Sequence, residues 1–557
     1  MQIIQYPKEF HIRIGFNNFR TRNLTAIQAL SSRRFDPVKK LWIAPIHVSS
    51  EVLELVRTHR AELLVVEEHN AVDIVDLPEL PNLDFELPLH HPNGFGFRPY
   101  QDKGVAQGLK LKRFINGDEQ GLGKTLQAIG TLHGGYMQGE KTFPCLVVCP
   151  SSTKINWQRE WLQWAGKKAI ILDDKNKTTW HRFYEMGLAD VFIVNYESLK
   201  KFFVDYMPPK GKMRNSMDIK LNERTGLFKS VIIDESHRCK DTKTQQTKLA
   251  LRIAMGKEWR ILLTGTPVVN KPIDLFSQLA IMGRLNEFGG AKGFKMRYCE
   301  GGYGASNLKE LNFLLNKHCF FRREKKDVAK DLPEKQRQTI LCDITTRAEY
   351  NRAKNQFVKY MEEQGLSDKA VAKRLKAEIL MKMLELKRIS ALGKLAEVTE
   401  FINEVLDSGE KLIVFCSLHA IVDEVLKEFP HAVTVTGRDD MDIKQANIDA
   451  FQNNPDVKLI VCNIKAAGVG ITLTASSRVA FIEYPWTYAD CVQCEDRAHR
   501  IGQKNNVMCT YFLGQNTIDE KLFEMIQSKA ETANTITGAT DEMKTDFIDK
   551  VMDLFKN

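Results

Sequence analysis

The stretch GDEQGLGKT at 117–125 sets three glycines ahead of a lysine and a threonine, the order that phosphate chemistry requires. Glycines let backbone N–H groups close around phosphate oxygens at a helix start, Lys124 carries charge to the β and γ phosphates, and the Thr125 hydroxyl is a ligand for Mg²⁺. The strict phosphate-loop pattern has glycine where this chain has Asp118, so the match is to G-K-T with a variant opening. The residues expected to touch nucleotide are Asp118, Glu119, Gln120, Gly121, Leu122, Gly123, Lys124 and Thr125. A chance loop is the alternative, and it weakens at SVIIDESH (230–237), where two acids follow a β-rich run. That is where a Mg²⁺ ligand, Asp234, and a water-activating carboxylate, Glu235, belong. His237 reads either as a solvated turn residue or as a link from the nucleotide to a neighbouring motif.

These residues need strands and helix starts to hold them. Apolar runs at 145–150, 191–195, 230–235 and 260–266 alternate with amphipathic stretches, and a second series runs through 411–416, 432–437, 458–463, 478–483 and 507–513. Continuous apolar strands alternating with helices signal parallel sheets covered on both faces, so the expected class is α/β with two such lobes. The lobes are expected over 97–330 and 395–540, with a helical linker or protrusion at 331–394 and a terminal helix at 541–557. Prolines and glycines crowd 77–96 and mark a linker. Before it, FHIRIGF, LWIAPI and ELLVVEE read as strands of a small α/β domain over 1–76, with helices near 24–31 and 50–60.

A length of 557 residues excludes a single small binding module and suggests about three to five compact units. No run approaches the roughly 18 apolar residues of a membrane span, and the start lacks a signal-peptide pattern, so an intracellular, soluble protein is expected. The net charge of +10 fits a polyanion-binding surface without demonstrating one. The 11 cysteines lie mostly in apolar runs and read as reduced core residues; Cys491-x-x-Cys494 has no second pair to complete a zinc site.

Taken together and in order, GDEQGLGKT, DESH, LTGTP (263–267) and QCEDRAHRIGQ (493–503) resemble the Swi/Snf-related ATPases of helicase superfamily 2, over about residues 97–530. The resemblance implies two RecA-like lobes that bind ATP and Mg²⁺ in their cleft and move along duplex DNA. It implies that Gln101 of FRPYQ reads adenine, and that Thr264 and Thr266 of LTGTP couple with His237 to relay the γ-phosphate state. It further implies that Gly468 and Gly470 of CNIKAAGVGITLT approach nucleotide and DNA. Arg497 and Arg500, three apart and on one face if helical, are the implied arginine fingers, with Gln493 bracing them. Cys494 stands where relatives commonly have alanine, as a small packing residue would.

On the DNA side the resemblance points to Ser151, Ser152, Lys154, Tyr196, Ser417, Thr436, Gly437, Lys465 and Trp486. The basic run at 319–338 is expected to be a solvated face, with a duplex-groove lining as the alternative. RRFDPVKKLWIAPI (33–46) looks like the HARP domain of annealing helicases. The expected activity is therefore an ATP-dependent double-stranded or forked DNA translocase of the annealing or fork-remodelling kind, with a monomeric motor. A translocase that strips a DNA-bound protein and a DNA-binding scaffold with a dead ATP site are the rivals. The basic and aromatic residues Arg33, Arg34, Lys39, Lys40 and Trp42 are candidates for branched-DNA targeting.

Overall fold

The apolar runs become Cys145–Cys149, Val191–Asn195, Ser230–Ile233 and Trp259–Leu263, four adjacent strands of one parallel sheet. A strand covered on both faces has no solvent side to alternate toward, which is why these runs carry so few polar residues. Successive residues divide between two cores. Leu146, Val148, Phe192 and Ile233 face one, while Val147, Cys149, Ile193 and Ile232 face the other.

The computed structural model describes residues 2–5, 9–14, 20–36, 41–59, 61–65, 79–89, 96–209, 216–265, 272–300, 304–363, 376–467 and 470–533. It divides into two compact units, Met1–Pro78 and Glu79–Asn557. In the first unit, β1 (Gln2–Gln5), β2 (Glu9–Arg13), β3 (Arg34–Asp36), β4 (Leu41–Pro45) and β5 (Glu62–Val65) form a mixed sheet in the order β3-β4-β2-β1-β5. The alternation of FHIRIGF sends Phe10 and Ile12 into a core shared with Ile27, Val52 and Leu55 from helices Arg20–Gln28 and Ser49–Thr58.

The second unit holds two parallel sheets. The first contains β6 (Arg113–Asn116), β7 (Cys145–Cys149), β8 (Ala169–Ile171), β9 (Val191–Asn195), β12 (Ser230–Ile233), β13 (Trp259–Leu263) and β14 (Phe320–Phe321). Its order is β14-β6-β13-β12-β7-β9-β8, and β10 (Val204–Tyr206) and β11 (Lys220–Leu221) form a separate ribbon. The second sheet comprises β15 (Lys335–Cys342), β16 (Leu412–Cys416), β17 (Val433–Val435), β18 (Leu459–Asn463), β19 (Arg478–Phe481) and β20 (Val507–Gly514), in the order β15-β20-β19-β16-β18-β17. Every described pairing in both is parallel. These are the two RecA-like lobes, and they place their loops at the carboxyl ends of the strands, where ligands of such sheets bind.

Two segments differ from the sequence expectation. Lys335–Cys342, expected in a helical linker, pairs in register with all of β20 as an edge strand. Helix Lys376–Gly393 does not protrude: Ile379, Met383, Leu386 and Ile389 are buried in the core of the second lobe. The Pro-rich linker has neither helix nor strand over 79–89, as its breakers dictate. Even so, Leu87 and Leu89 are buried against Val105 of helix Pro99–Leu111, so this stretch belongs to the first lobe's core. The terminal helix at 541–557 lies outside the described residues, as do Thr266, Gly468, Lys39 and Lys40.

All eleven cysteines are buried thiols, Cys491 and Cys494 among them. Burial pushes each thiol above its ordinary range. No described helix is long and apolar enough to cross a membrane.

Candidate nucleotide site and the cleft beside it

The chain leaves β6 at Asn116, turns through 117–123 and enters helix Lys124–Met137. Gly121 (φ 86°) and Gly123 (φ 74°) are left-handed, which only glycine adopts without strain. Both also admit close neighbours: a Cβ would lie 2.9 Å from Arg500 Cβ at Gly121 and 2.3 Å from Gln101 Nε2 at Gly123. Lys124 folds back over the turn, its Nζ donating to the carbonyls of Asp118 (2.8 Å) and Glu119 (3.3 Å). Burial lowers its proton affinity, against the pull of Glu235, Asp118 and Asp234. Thr125 sits half-buried one residue into the helix.

The variant opening of the loop has a structural cause. The wholly buried Asp118 carboxylate accepts from the backbone N–H of Arg323 (2.9 Å), from Arg323 Nε (3.0 Å) and from Gln127 Nε2 (3.0 Å), and it pairs with the Arg323 Nη2. Glu119 Oε2 accepts from the Lys325 N–H at 2.7 Å. Both side chains therefore anchor the loop. Gln101 is held in the same way. Only 3% exposed, it accepts from the Arg98 N–H (2.9 Å) and donates to the Leu122 carbonyl (3.2 Å), so both ends of its amide serve the helix start and the loop. Gln120 does face the cleft, and its Oε1 accepts from Arg497 Nη2 at 3.1 Å.

At the end of β12, Asp234 Oδ2 accepts from Trp157 Nε1 (2.9 Å) and Oδ1 from the Glu235 N–H (2.9 Å). Glu235 is held at a positive φ of 51°, which begins a short 3₁₀ turn. Its buried Oε2 lies 3.3 Å from His237 Nδ1. His237 Nδ1 also stands 3.3 Å from the hydroxyl of the buried Thr264, so the histidine bridges DESH to LTGT and is not a solvated turn residue. Burial, and then the neighbouring Glu235 carboxylate, push Asp234 up to about 6. Burial acts the same way on Glu235, but His237, Lys124 and Arg497 outweigh it and hold the carboxyl below its ordinary value. Of the two acids it is Asp234 whose negative charge is left short of compensation. A divalent cation held by Asp234 and Thr125 fits that deficit.

The arginines arrive from the second lobe. Helix Tyr488–Glu495 ends before them, so they sit on the turn that follows and not on a helical face as the spacing suggested. The Ile471 carbonyl gathers both, accepting from Arg497 Nη1 (3.3 Å) and Arg500 Nη1 (3.1 Å), while Arg497 Nε donates to the Gln493 carbonyl (3.0 Å). Arg497 reaches Gln120, and Arg500 lies against Gly121, so both meet the phosphate loop directly.

Beside Glu235 opens a polar cleft of about 330 Å³. Ser151 and Ser152 line it from the first lobe and Lys465 and Gln493 from the second, with His237 and Arg238 between. Lys154 is half-buried at the start of the adjoining helix Lys154–Ala165. Several expected DNA-side residues stand elsewhere. Tyr196 is 2% exposed, and its hydroxyl donates to the Asp234 carbonyl (2.5 Å), so it underpins the acidic pair and presents nothing to a duplex. Thr436 is buried and donates to Asp439 (2.9 Å), leaving Gly437 as the exposed member of that turn. Ser417 donates its N–H to the buried Glu483 (2.8 Å), and Trp486 packs on the second lobe's core with the Lys387 ammonium 4.4 Å from its ring centroid. Gly470 (φ 74°) seats against Thr153, whose Cγ2 lies 1.8 Å from where a Cβ would stand, so it lets the two lobes approach closely.

The basic run at 319–338 also differs from its reading as a solvated face. Lys325 is 7% exposed and pairs with Asp496 at 2.8 Å. Lys335 and Arg337 reach Glu495 at 2.9 and 2.5 Å. Sequence reasoning had no way to single these out, because each partner is more than a hundred residues away.

Two parallel α/β lobes, with a phosphate loop and an acidic pair on one and paired arginines from the other meeting them, define a helicase-like ATPase. Comparison with known families agrees: the SNF2-related domain matches residues 100–393 and the helicase conserved C-terminal domain matches 393–502. The chain belongs to the SNF2-related family. Among its relatives is the SWI/SNF-related matrix-associated actin-dependent regulator of chromatin subfamily A-like protein 1 homolog of Caenorhabditis elegans, 29% identical over 96% of this chain and 76% of that protein. The DNA annealing helicase and endonuclease ZRANB3 of Homo sapiens is 30% identical over 81% of this chain, which spans only 41% of its length. The solved Sulfolobus solfataricus SWI2/SNF2 ATPase core in complex with dsDNA is 26% identical, covering 80% of this chain and 94% of that one, with a TM-score of 0.37.

Proposed function

We propose that this protein is an ATP-dependent double-stranded DNA translocase of the annealing or fork-remodelling kind, using Mg²⁺. The observation that carries the reading is the meeting of the two lobes at the phosphate loop. Arg497 and Arg500 of the second lobe meet the phosphate loop of the first, and a polar cleft beside Glu235 is lined by Ser151 and Ser152 of one lobe and Lys465 of the other. Asp234 and Thr125 would hold Mg²⁺, which would supply positive charge to offset that of the phosphates. Lys124 and the loop N–H groups bind the phosphates. Glu235, kept ionised by His237, Lys124 and Arg497, orients the attacking water and takes its proton. The arginines stabilise charge developing on the γ-phosphoryl group, an effect worth about 10³ to 10⁵ in rate. His237, in reach of both Glu235 and Thr264, is the route by which hydrolysis is felt along the coupling segment.

The annealing assignment is supported by the human relative, a DNA annealing helicase by name, and by an alignment with the nematode relative that covers nearly the whole chain. Measuring ATP turnover against duplex, forked and single-stranded DNA and RNA tests it. Duplex and fork should stimulate and RNA should not, while Lys124→Ala and Glu235→Gln should abolish turnover, the latter still binding ATP. Retained turnover in both variants would overturn the site.

A further inference from the structure

We infer that Lys325 is a positioning residue for hydrolysis, tying the phosphate loop to the arginine segment; the inference rests on the ATPase reading above. The residues 323–325 grip the loop with one end and the arginine turn with the other. On the loop side, Arg323 Nε holds the Asp118 carboxylate (3.0 Å), and the Lys325 N–H donates to Glu119 Oε2 (2.7 Å). On the other side, the Lys325 Nζ pairs with Asp496 (2.8 Å) and donates to the His499 carbonyl (2.9 Å). Asp496 directly precedes Arg497, and His499 directly precedes Arg500. One ammonium group therefore contacts the backbone or side chain adjacent to each finger, while its own main chain is bonded to the loop those fingers must reach.

Both members of the ion pair are nearly inaccessible, at 8% and 1% exposure, so water screens their attraction little. The interaction has the geometry of a fixed strut. Neither Lys325 nor Asp496 need touch ATP: what they set is where the guanidiniums stand when the loop is filled, and a displacement of about 1 Å in such groups costs about 10²-fold in rate.

Structural and positioning roles separate because Asp496 has a second cation. Lys335 lies 3.2 Å from Asp496 and 2.9 Å from Glu495, so removing Lys325 does not strand a buried charge. The test uses the full chain with duplex DNA, reading kcat and KM for ATP, affinity for a fluorescent ATP analogue, and thermal melting. Lys325→Met should lower kcat by about 10²-fold and leave analogue affinity unchanged. The pair-deleted variant Lys325→Met/Asp496→Leu, in which two apolar side chains replace the ions, should fold and remain as slow. If Lys325→Met fails to fold, the double variant decides. Recovery of wild-type kcat in the double variant would show that the pair only balances charge, and loss of analogue affinity in step with rate would show a binding role; either result overturns the inference. Absence of turnover in the unsubstituted chain would instead remove the ATPase reading beneath it.

Discussion

His499 shows how a residue beside the reacting groups carries a cost that solution pH exposes. Burial first, and then Lys325 and Lys335, push its imidazole from its ordinary 6.5 down to about 4, and the ring reaches the Pro333 carbonyl at 2.8 Å. A histidine whose folded value is depressed is neutral when folded and protonated more readily when unfolded. Its contribution is whole above pH 6.5 and is lost as pH falls toward 4. The neighbouring Asp496, held down at about 2 although burial opposes it, loses its contribution only below its ordinary 3.8, so the two windows do not overlap. The stability difference between the wild-type chain and His499→Gln, read from urea midpoints, should therefore shrink between pH 6.5 and 4 and stay constant above. A difference that does not vary across that interval would mean that the ring does not titrate as its surroundings dictate.

Between elements, the lobes are joined by a bidentate pair as well as by the arginines. Arg159 of helix Lys154–Ala165 donates to both oxygens of Asp449 on helix Met441–Asn453, at 2.9 and 2.8 Å. The two side chains are 45% and 39% exposed, and pairs so placed contribute about 0.2 to 1 kcal/mol. Arg159→Asp should accordingly raise KM for ATP by up to about fivefold at low salt, with the effect fading as salt rises. Adding Asp449→Arg should restore it. Failure of the swapped pair to rescue would mean that closure does not depend on this contact. How far such elements could be read in advance follows their burial. The runs behind β7, β9, β12, β16 and β18 were legible because both faces are covered and every residue is apolar save a terminal one in β9, β12 and β18. β15 was not: it reads KQRQTILC, lies mostly exposed at a sheet edge, and is a strand only because β20 pairs with it. At the site, the glycines and the acidic pair announce themselves by type and spacing. Asp118 and Tyr196 do not, since the partners that commit them, Arg323 and the Asp234 carbonyl, are known only once the chain is folded.

At the scale of the molecule, the unit Met1–Pro78 has its own sheet and its own apolar core, and Glu79 onward holds both lobes. The exposed Arg33 and Arg34 flank this unit's aromatic pair. Trp42 is half-buried there, and Phe35, 49% exposed and 5.2 Å from it between centroids, is the ring open to a base. Basic groups give salt-dependent phosphate affinity, and a base stacked on an aromatic ring is worth about 1 to 3 kcal/mol. A chain starting at Glu79, which keeps Leu87 and Leu89 in the first lobe's core, should retain duplex-stimulated turnover but lose preference for forked DNA and any strand annealing. A truncated chain that still favours forks would assign that preference to the lobes. The buried thiols have a practical consequence as well. With every native sulfhydryl enclosed and poorly ionised, maleimide dyes find nothing to attack on the folded surface. Cysteines introduced at exposed positions such as Met186 and Ile443, one on each lobe, would then carry the only fluorophores, and energy transfer between them would follow the opening and closing of the cleft through single catalytic cycles without altering any natural cysteine.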